Sequence, residues 1–304
     1  MRRHIALRKY VMAVLAAGCL WGTMGFFTRT LATLGIDASG AILVRCAMAA
    51  VCFAITLLVL DPKGFRVRPK DFWCFFGSGV CALLFFTWCY FNAINLMSLS
   101  AAAILLYTAP SIVMLLSAVF FKERITPVKL IALLLAFAGC CLVSGVGSGG
   151  ASLTLKGVLF GLGSGVGYAL YSVFARFALD RGYSSNTVNF YSCLLAAIGT
   201  ALIFGWQDTL HAAAASWGSA GFCLLAGAVT CYLPYLLYTY GLTGLETGKA
   251  SILASVEPVV ATLIGILVYH ETMSLLSALG VVLVLSAVVL LNGKRGNRFA
   301  GTDV

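Results

Sequence analysis

The sequence predicts an all-α integral membrane protein: ten transmembrane helices arranged as two inverted five-helix repeats. Three observations predict this class. Hydrophobic residues make up 61% of the 304-residue chain and charged residues only 10%, with a mean hydropathy of +1.01, against about a quarter charged residues in a soluble domain. The apolar runs are near 20 residues long, the length needed to cross a bilayer. The chain also superposes on itself at a shift near 147 residues.

The runs, broken by Pro, Gly or charge, fall near 10–30, 38–60, 72–92, 98–121, 128–146, 157–178, 186–205, 217–239, 248–269 and 275–292. Helices are expected, because backbone polar groups in lipid must be satisfied within the segment and the runs lack the alternation of barrel strands. The basic start (Arg2, Arg3, Arg8, Lys9) followed by Ala16-Ala17-Gly18-Cys19 has the outline of a lipoprotein signal. The apolar run continues through Trp21 to Phe27 with no polar mature start, so it reads as a retained first span.

Lys and Arg collect in short cytoplasmic loops. With the N-terminus inside, all 20 basic residues except Arg29, Arg45 and Lys156 fall on the cytoplasmic side. This predicts an inner (plasma) membrane protein with both termini in the cytoplasm. The bias and contact with anionic lipid account for the net charge of +10 without nucleic acid. The eleven cysteines lie almost entirely inside apolar runs and form no metal-ligand spacing, so they read as small buried hydrophobes.

In the self-comparison, Arg29–Gly35 falls on Arg176–Gly182 and Trp21 on Tyr168. At a shift of 148, Tyr90 falls on Tyr238, Pro110 on Pro258, Glu123 on Glu271 and Thr126 on Ser274. The halves are 1–147 and 148–304, joined at Gly147–Gly150. Five spans each is an odd number, so the second half enters the membrane in the opposite sense, as in inverted-repeat secondary transporters. Ala109-Pro110-Ser111 through Lys122–Thr126, and Val256–Val259 through His270–Ser274, each followed by an apolar span, resemble the EamA-type repeat of the drug/metabolite transporter superfamily. The resemblance covers about 11–292 and implies a ten-helix metabolite exporter or permease with a cavity between its halves. An Arg in the second span, here Arg45, also matches. The departures are Ala109 in the place of the acidic Glu257, and Ser192 opposite Arg45.

Candidate site residues follow from cost and placement. Pro110 and Pro258 sit near mid-membrane, where a proline frees the carbonyl four residues earlier, at Leu106 and Ala254; the expected role is a kink for packing or for gating. Glu257, about 14 Å into its span, is an ionisable group in lipid that faces a cavity or a partner. It is a candidate to bind an amine or to carry a coupling proton. Arg45 either snorkels or pairs structurally, or attracts a carboxylate or phosphate. Trp21, Tyr90, Tyr107, Tyr171 and Tyr235, with Asn92, complete the candidate substrate-binding set, while Arg29 and Arg176 read as interfacial anchors. Tyr232, Tyr235 and Tyr238 recur every three residues and suggest an aromatic face. Gly157, Gly161 and Gly165 form overlapping GxxxG repeats for close helix packing.

No catalytic triad, phosphate loop or zinc-helix motif is present, so no enzyme, cofactor or metal is expected. The expected function is secondary transport, in the direction of export, of a small metabolite such as an amino acid or an aromatic or amphipathic compound, by alternating access of a midplane site. A multidrug or nucleotide-sugar/sugar-phosphate carrier is the alternative within transport, and a membrane-embedded enzyme or scaffold the one outside it. The expected partners are the substrate, the lipid bilayer and a coupling proton, with facilitated diffusion fitting equally; oligomeric state is left open.

Overall fold

The computed structural model describes residues 2–97, 99–144, 154–270 and 272–292. The linker Gly147–Gly150, Glu271 and the basic C-terminal segment lie outside the described residues. Nine helices among the described residues are long and apolar enough to cross a membrane: Leu7–Thr33, Ala38–Leu60, Pro69–Leu96, Ala101–Phe121, Leu155–Asp180, Ser185–Phe204, Trp217–Leu242, Thr247–Tyr269 and Leu275–Asn292. Pro127–Val143, with 17 residues, is the fifth of the ten spans, within the lower range of spanning lengths.

The same local chemistry starts and ends matched spans in both halves. Asp37 caps the second span by accepting from Gly40 N (2.7 Å), and Ser184 caps the seventh by accepting from Thr187 N (3.2 Å). Thr126 and Ser274 do the same for the fifth and tenth. Such caps each contribute about 1 kcal/mol and satisfy amides that lipid cannot. Gly35 and Gly182, matched in sequence, end the first and sixth spans with φ of +81° and +86°, a left-handed turn that glycine adopts without strain. Lys122 and His270, also matched, close the fourth and ninth in the same region, at φ 56° and 54°.

Two features interrupt the helices at matched places. The fourth span is split into Leu99–Leu106 and Ala109–Phe121, and the ninth into Thr247–Ala254 and Glu257–Tyr269. Pro110 and Pro258 stand in the first turn of each second half-helix, where their missing N–H is harmless. The third span carries a π-helical segment at Gly77–Leu84 and the eighth one at Ala228–Tyr232, wider turns common at functional sites. These segments and the short helix Gln207–Ala214, between the seventh and eighth spans, have no counterpart in the pattern of apolar runs.

Spans 1, 2, 3, 4, 6, 8 and 9 surround the centre, with the pair 5–10 packed at one flank and span 7 packed against span 2 at the other. Gly139 and Gly280 bring spans 5 and 10 together: a Cβ on either would stand within 2.7 Å of the other's carbonyl oxygen. On the sixth span, Gly157 and Gly161 meet Met97 and Leu105, while Gly163 and Gly167 meet Cys89 and Phe86. The glycine ridge therefore serves packing on two faces. Large apolar side chains such as Leu58, Val119, Leu202, Leu267 and Val289 are exposed on the outside of the bundle, the surface that lipid covers.

Candidate functional site

A cavity of about 380 Å³ lies at the centre of the bundle. Its wall runs from Trp21 to Thr28 on the first span, Ala38 to Cys46 on the second, Leu83 to Ile94 on the third and Ala103 to Tyr107 on the fourth, and is completed by Tyr168, Cys231, Tyr235, Glu257 and Ala261. Ala38 is the first residue of its helix and Ile94 nearly the last of its own. The cavity therefore reaches the face opposite the N-terminus.

At the N-terminal face the halves are bonded together. The Glu123 carboxylate accepts from Thr247 N (2.6 Å) and Gly248 N (3.1 Å), at the start of the ninth span. Lys129 pairs with Glu246 at 2.8 Å, Tyr183 donates to Asp71 at 2.8 Å, and Tyr191 and Thr187 donate to the carbonyls of Phe65 and Gly64. Arg176 bonds the carbonyls of Leu242 and Leu245 and lies 5.9 Å from the Phe121 ring. At the opposite face its sequence mate Arg29 lies 4.3 Å from the ring of Tyr269, the mate of Phe121. Both arginines thus bridge the two halves, a role beyond anchoring in the interface.

Six of the eight proposed substrate-binding residues, Trp21, Arg45, Tyr90, Tyr107, Tyr235 and Glu257, line this cavity. Two do not. Tyr171 is buried behind it, its hydroxyl donating to Asn189 Oδ1 at 2.5 Å, and Asn189 donating on to Thr239. Asn92 donates to the carbonyl of Trp88 on its own helix. Of the three regularly spaced tyrosines only Tyr235 reaches the cavity; Tyr232 is bonded to Thr56, and Tyr238 to Ser172. The π-helical segment at 228–232 ends on Tyr232 and alters the turn before Tyr235 and Tyr238, so simple helical spacing misjudges the face.

The aromatic wall is tightly built. The Trp21 ring meets Tyr168, Tyr235 and Tyr238 at 6.3, 5.2 and 5.3 Å, and Tyr235 meets Tyr171 at 4.7 Å. Phe86 joins Tyr90 and Tyr168 at 5.9 Å. Tyr168, Phe86 and Thr230 lie outside the candidate set drawn from the sequence, although Tyr168 is the repeat mate of Trp21.

Arg45 is held by the eighth span. Pro234 has no N–H for the carbonyl of Thr230 four residues back, and Arg45 Nη2 donates to that oxygen at 3.1 Å while Nε donates to Thr230 Oγ1 at 2.8 Å. Nη1 reaches Met24 Sδ at 3.2 Å. Three of the five guanidinium N–H donors are used, leaving two. A matched contact supports the placement: a Cβ on Gly227 would stand 3.4 Å from Arg45 O, and one on its mate Gly79 would stand 2.8 Å from Ser192 O, the residue opposite Arg45 in the repeat.

Glu257 opens the second half-helix of the ninth span, where the helix N-terminus favours a carboxylate. Gly22 of the first span allows this approach, since a Cβ there would stand 2.7 Å from Glu257 O. No hydrogen bond or ion pair joins Glu257 to Arg45, though both line the same cavity. No group of three or more potential metal ligands occurs among the described residues.

The EamA-like transporter family profile matches the chain twice, over residues 8–145 and 155–293. The chain belongs to this family. Among relatives of this EamA-type transporter, an uncharacterized transporter of Archaeoglobus fulgidus is 31% identical over 201 residues, 66% of this chain and 70% of its own length. A second from the same organism is 25% identical over 297 residues, covering 95% and 100%. The uncharacterized transporter YxxF of Bacillus subtilis is 23% identical, covering 97% and 94%. A crystal structure with 18% identity superposes with a TM-score of 0.78 over 96% of this chain and 99% of its own, a likeness of fold.

Proposed function

We propose that this EamA-type transporter is a secondary exporter of zwitterionic aromatic or amphipathic metabolites, amino acids foremost. The observation that carries the reading is the pairing of opposite charges on one aromatic wall: Arg45 and Glu257 face the same cavity without bonding each other. A guanidinium with two free donors suits a carboxylate, Glu257 suits an ammonium, and Trp21, Tyr90, Tyr107, Tyr168 and Tyr235 suit an apolar body between them. The sugar-phosphate alternative is less well supported, because Arg45 is the one cation in the lining and most of its donors are engaged.

Alternating access follows from the two faces. The bonds of Glu123, Lys129 and Asp71, with the contact of Arg176 on the Phe121 ring, close the N-terminal side while the cavity reaches the other. Rocking the halves about the breaks at 107–108 and 255–256 exchanges these states. With the termini in the cytoplasm, as the basic loops imply, the arrangement described is outward-open. No nucleotide motif is present, so a gradient supplies the energy, and Glu257 is the group placed to carry a coupling proton.

The test is flux in proteoliposomes with and without a pH gradient, screening amino acids, cationic dyes and sugar phosphates. Glu257→Gln, inserted and folded normally, is expected to abolish flux of the zwitterion. Retained flux overturns the role of Glu257, and indifference to the gradient overturns proton coupling.

A further inference from the structure

The second half of the broken fourth span, Ala109–Phe121, packs antiparallel against the first half of the ninth, Thr247–Ala254. The seam joins one half-helix from each repeat. At its inner end Pro110, Ser251 and Glu257 line one small chamber of about 20 Å³, room for about one water. Midway, a Cβ on Gly248 would stand 3.5 Å from Met114 Cα. At its outer end the Glu123 carboxylate holds Thr247 N and Gly248 N. The seam therefore runs from Glu257 to the N-terminal face.

The hydroxyls of these two half-helices differ from those elsewhere in the bundle. Among the described residues four buried side-chain oxygens have no hydrogen-bond partner, and three of them, Ser117 Oγ, Thr247 Oγ1 and Ser251 Oγ, belong to this pair. None of the three residues is more than 3% exposed. Pro110, Met114 and Ser117 follow one another along one helical face, which puts Ser117 a turn beyond Met114 toward Glu123. By contrast, Thr87, Ser192, Thr230, Thr239 and Thr262 each return their hydroxyl to the carbonyl four residues earlier, the ordinary outlet for such a group in an apolar helix. On the aromatic wall, Tyr171, Ser172 and Tyr238 are likewise bonded within the protein. A buried hydroxyl left unbonded is costly, and three beside one contact mark a surface kept polar for another state.

The repeat points the same way. At the shift of 148, Ala109–Phe121 falls on 257–269 and Thr247–Ala254 on 99–106. That counterpart pair borders the large cavity, with Ala103 and Leu106 on one half-helix and Glu257 and Ala261 on the other. The pair that faces open space on one side of the membrane is thus the pair that is closed on the other.

We propose that the seam is the closed form of a water path between Glu257 and the N-terminal face. When the Glu123 latch releases, water enters past Thr247 and Ser117 to Ser251, bonds the three hydroxyls, and gives the proton on Glu257 its way to that side. The path rests on the transport reading and names the route its coupling proton takes.

The experiment uses the full-length protein without its native cysteines, reconstituted in liposomes, with Ser117→Cys, Ser251→Cys or, on the aromatic wall, Ser172→Cys. A small cationic methanethiosulfonate is added from the N-terminal side only. The two seam positions are expected to react at least tenfold faster than Ser172→Cys. Adding Ser117→Ala to Ser251→Cys is expected to slow the reaction about tenfold, because it removes a group left unbonded only while the seam is closed. Seam cysteines no faster than Ser172→Cys overturn the path, and so does a rate that Ser117→Ala leaves unchanged or raises. Flux on the same preparations separates the two ideas. Transport with unreactive seam cysteines refutes the path alone, and reactive seam cysteines without flux of any screened metabolite refute the transport reading.

Discussion

Glu123→Ala is expected to open the N-terminal face. The substitution removes both acceptors for Thr247 N and Gly248 N, two of the amides at the start of the ninth span. A well-shielded hydrogen bond to a charged acceptor contributes about 1.5–3 kcal/mol, and a carboxylate at a helix N-terminus adds about 0.3–1 kcal/mol. Glu123 is only half-buried, and water reaches the freed amides in the open state, which brings the net effect to about 2 kcal/mol for the pair. At about 1.4 kcal/mol per factor of ten, the population open to the N-terminal side rises roughly 30-fold. The assay uses Ala250→Cys, a fully buried position four residues into the ninth span, in a background without the native cysteines, and follows its alkylation by a membrane-impermeant maleimide added from the N-terminal side. Alkylation through a rarely populated open state should accelerate by the same factor. An unchanged rate in a normally folded variant would show that Glu123 does not latch this face.

Arg45→Lys should reduce flux at least tenfold and lower Tm by a few degrees, since a lysine cannot make the two-pronged contact to the oxygens of Thr230; flux and thermal unfolding check both parts. Gly22→Ala should destabilise by about 1–3 kcal/mol through overpacking against Glu257 O and Val260. Gly25→Ala, with nothing within 4 Å of its Cβ, should leave Tm unchanged, and equal midpoints for the two would refute the close approach of spans 1 and 9. Tyr171→Phe should lower stability by about 1 kcal/mol through loss of the bond to Asn189 while leaving the KM for substrate alone, whereas Tyr235→Ala should raise KM.

Much of this architecture is legible in one dimension because its causes are local. Asp37, Ser184, Thr126 and Ser274 cap the helices that follow them, Gly35 and Gly182 turn the chain, and Pro110 and Pro258 break the spans where they stand. Each effect acts within four residues. The repeat amplifies the signal, since the same local device recurs after about 147 residues. Six cavity residues were reachable for a related reason: Arg45 and Glu257 are costly in lipid wherever they occur, and aromatic residues near such charges tend to share their chamber. Asn92 and Tyr171 have the same polar character, yet their bonds to Trp88 and Asn189 turn them away from the cavity, and nothing in their spacing reveals those partners.

The sequence by itself determined the ten apolar spans, the duplication and the two proline breaks, because transfer into lipid and backbone satisfaction depend on composition and near neighbours. Only the tertiary structure decided which face of each helix looks inward. The π-helical segments at 77–84 and 228–232 alter the turn where they occur, Pro234 hands the Thr230 carbonyl to an arginine 185 positions away, and the crossing of two broken spans leaves Glu257 between a large chamber and a small one. Those outcomes rest on contacts between halves that meet only after the chain has folded.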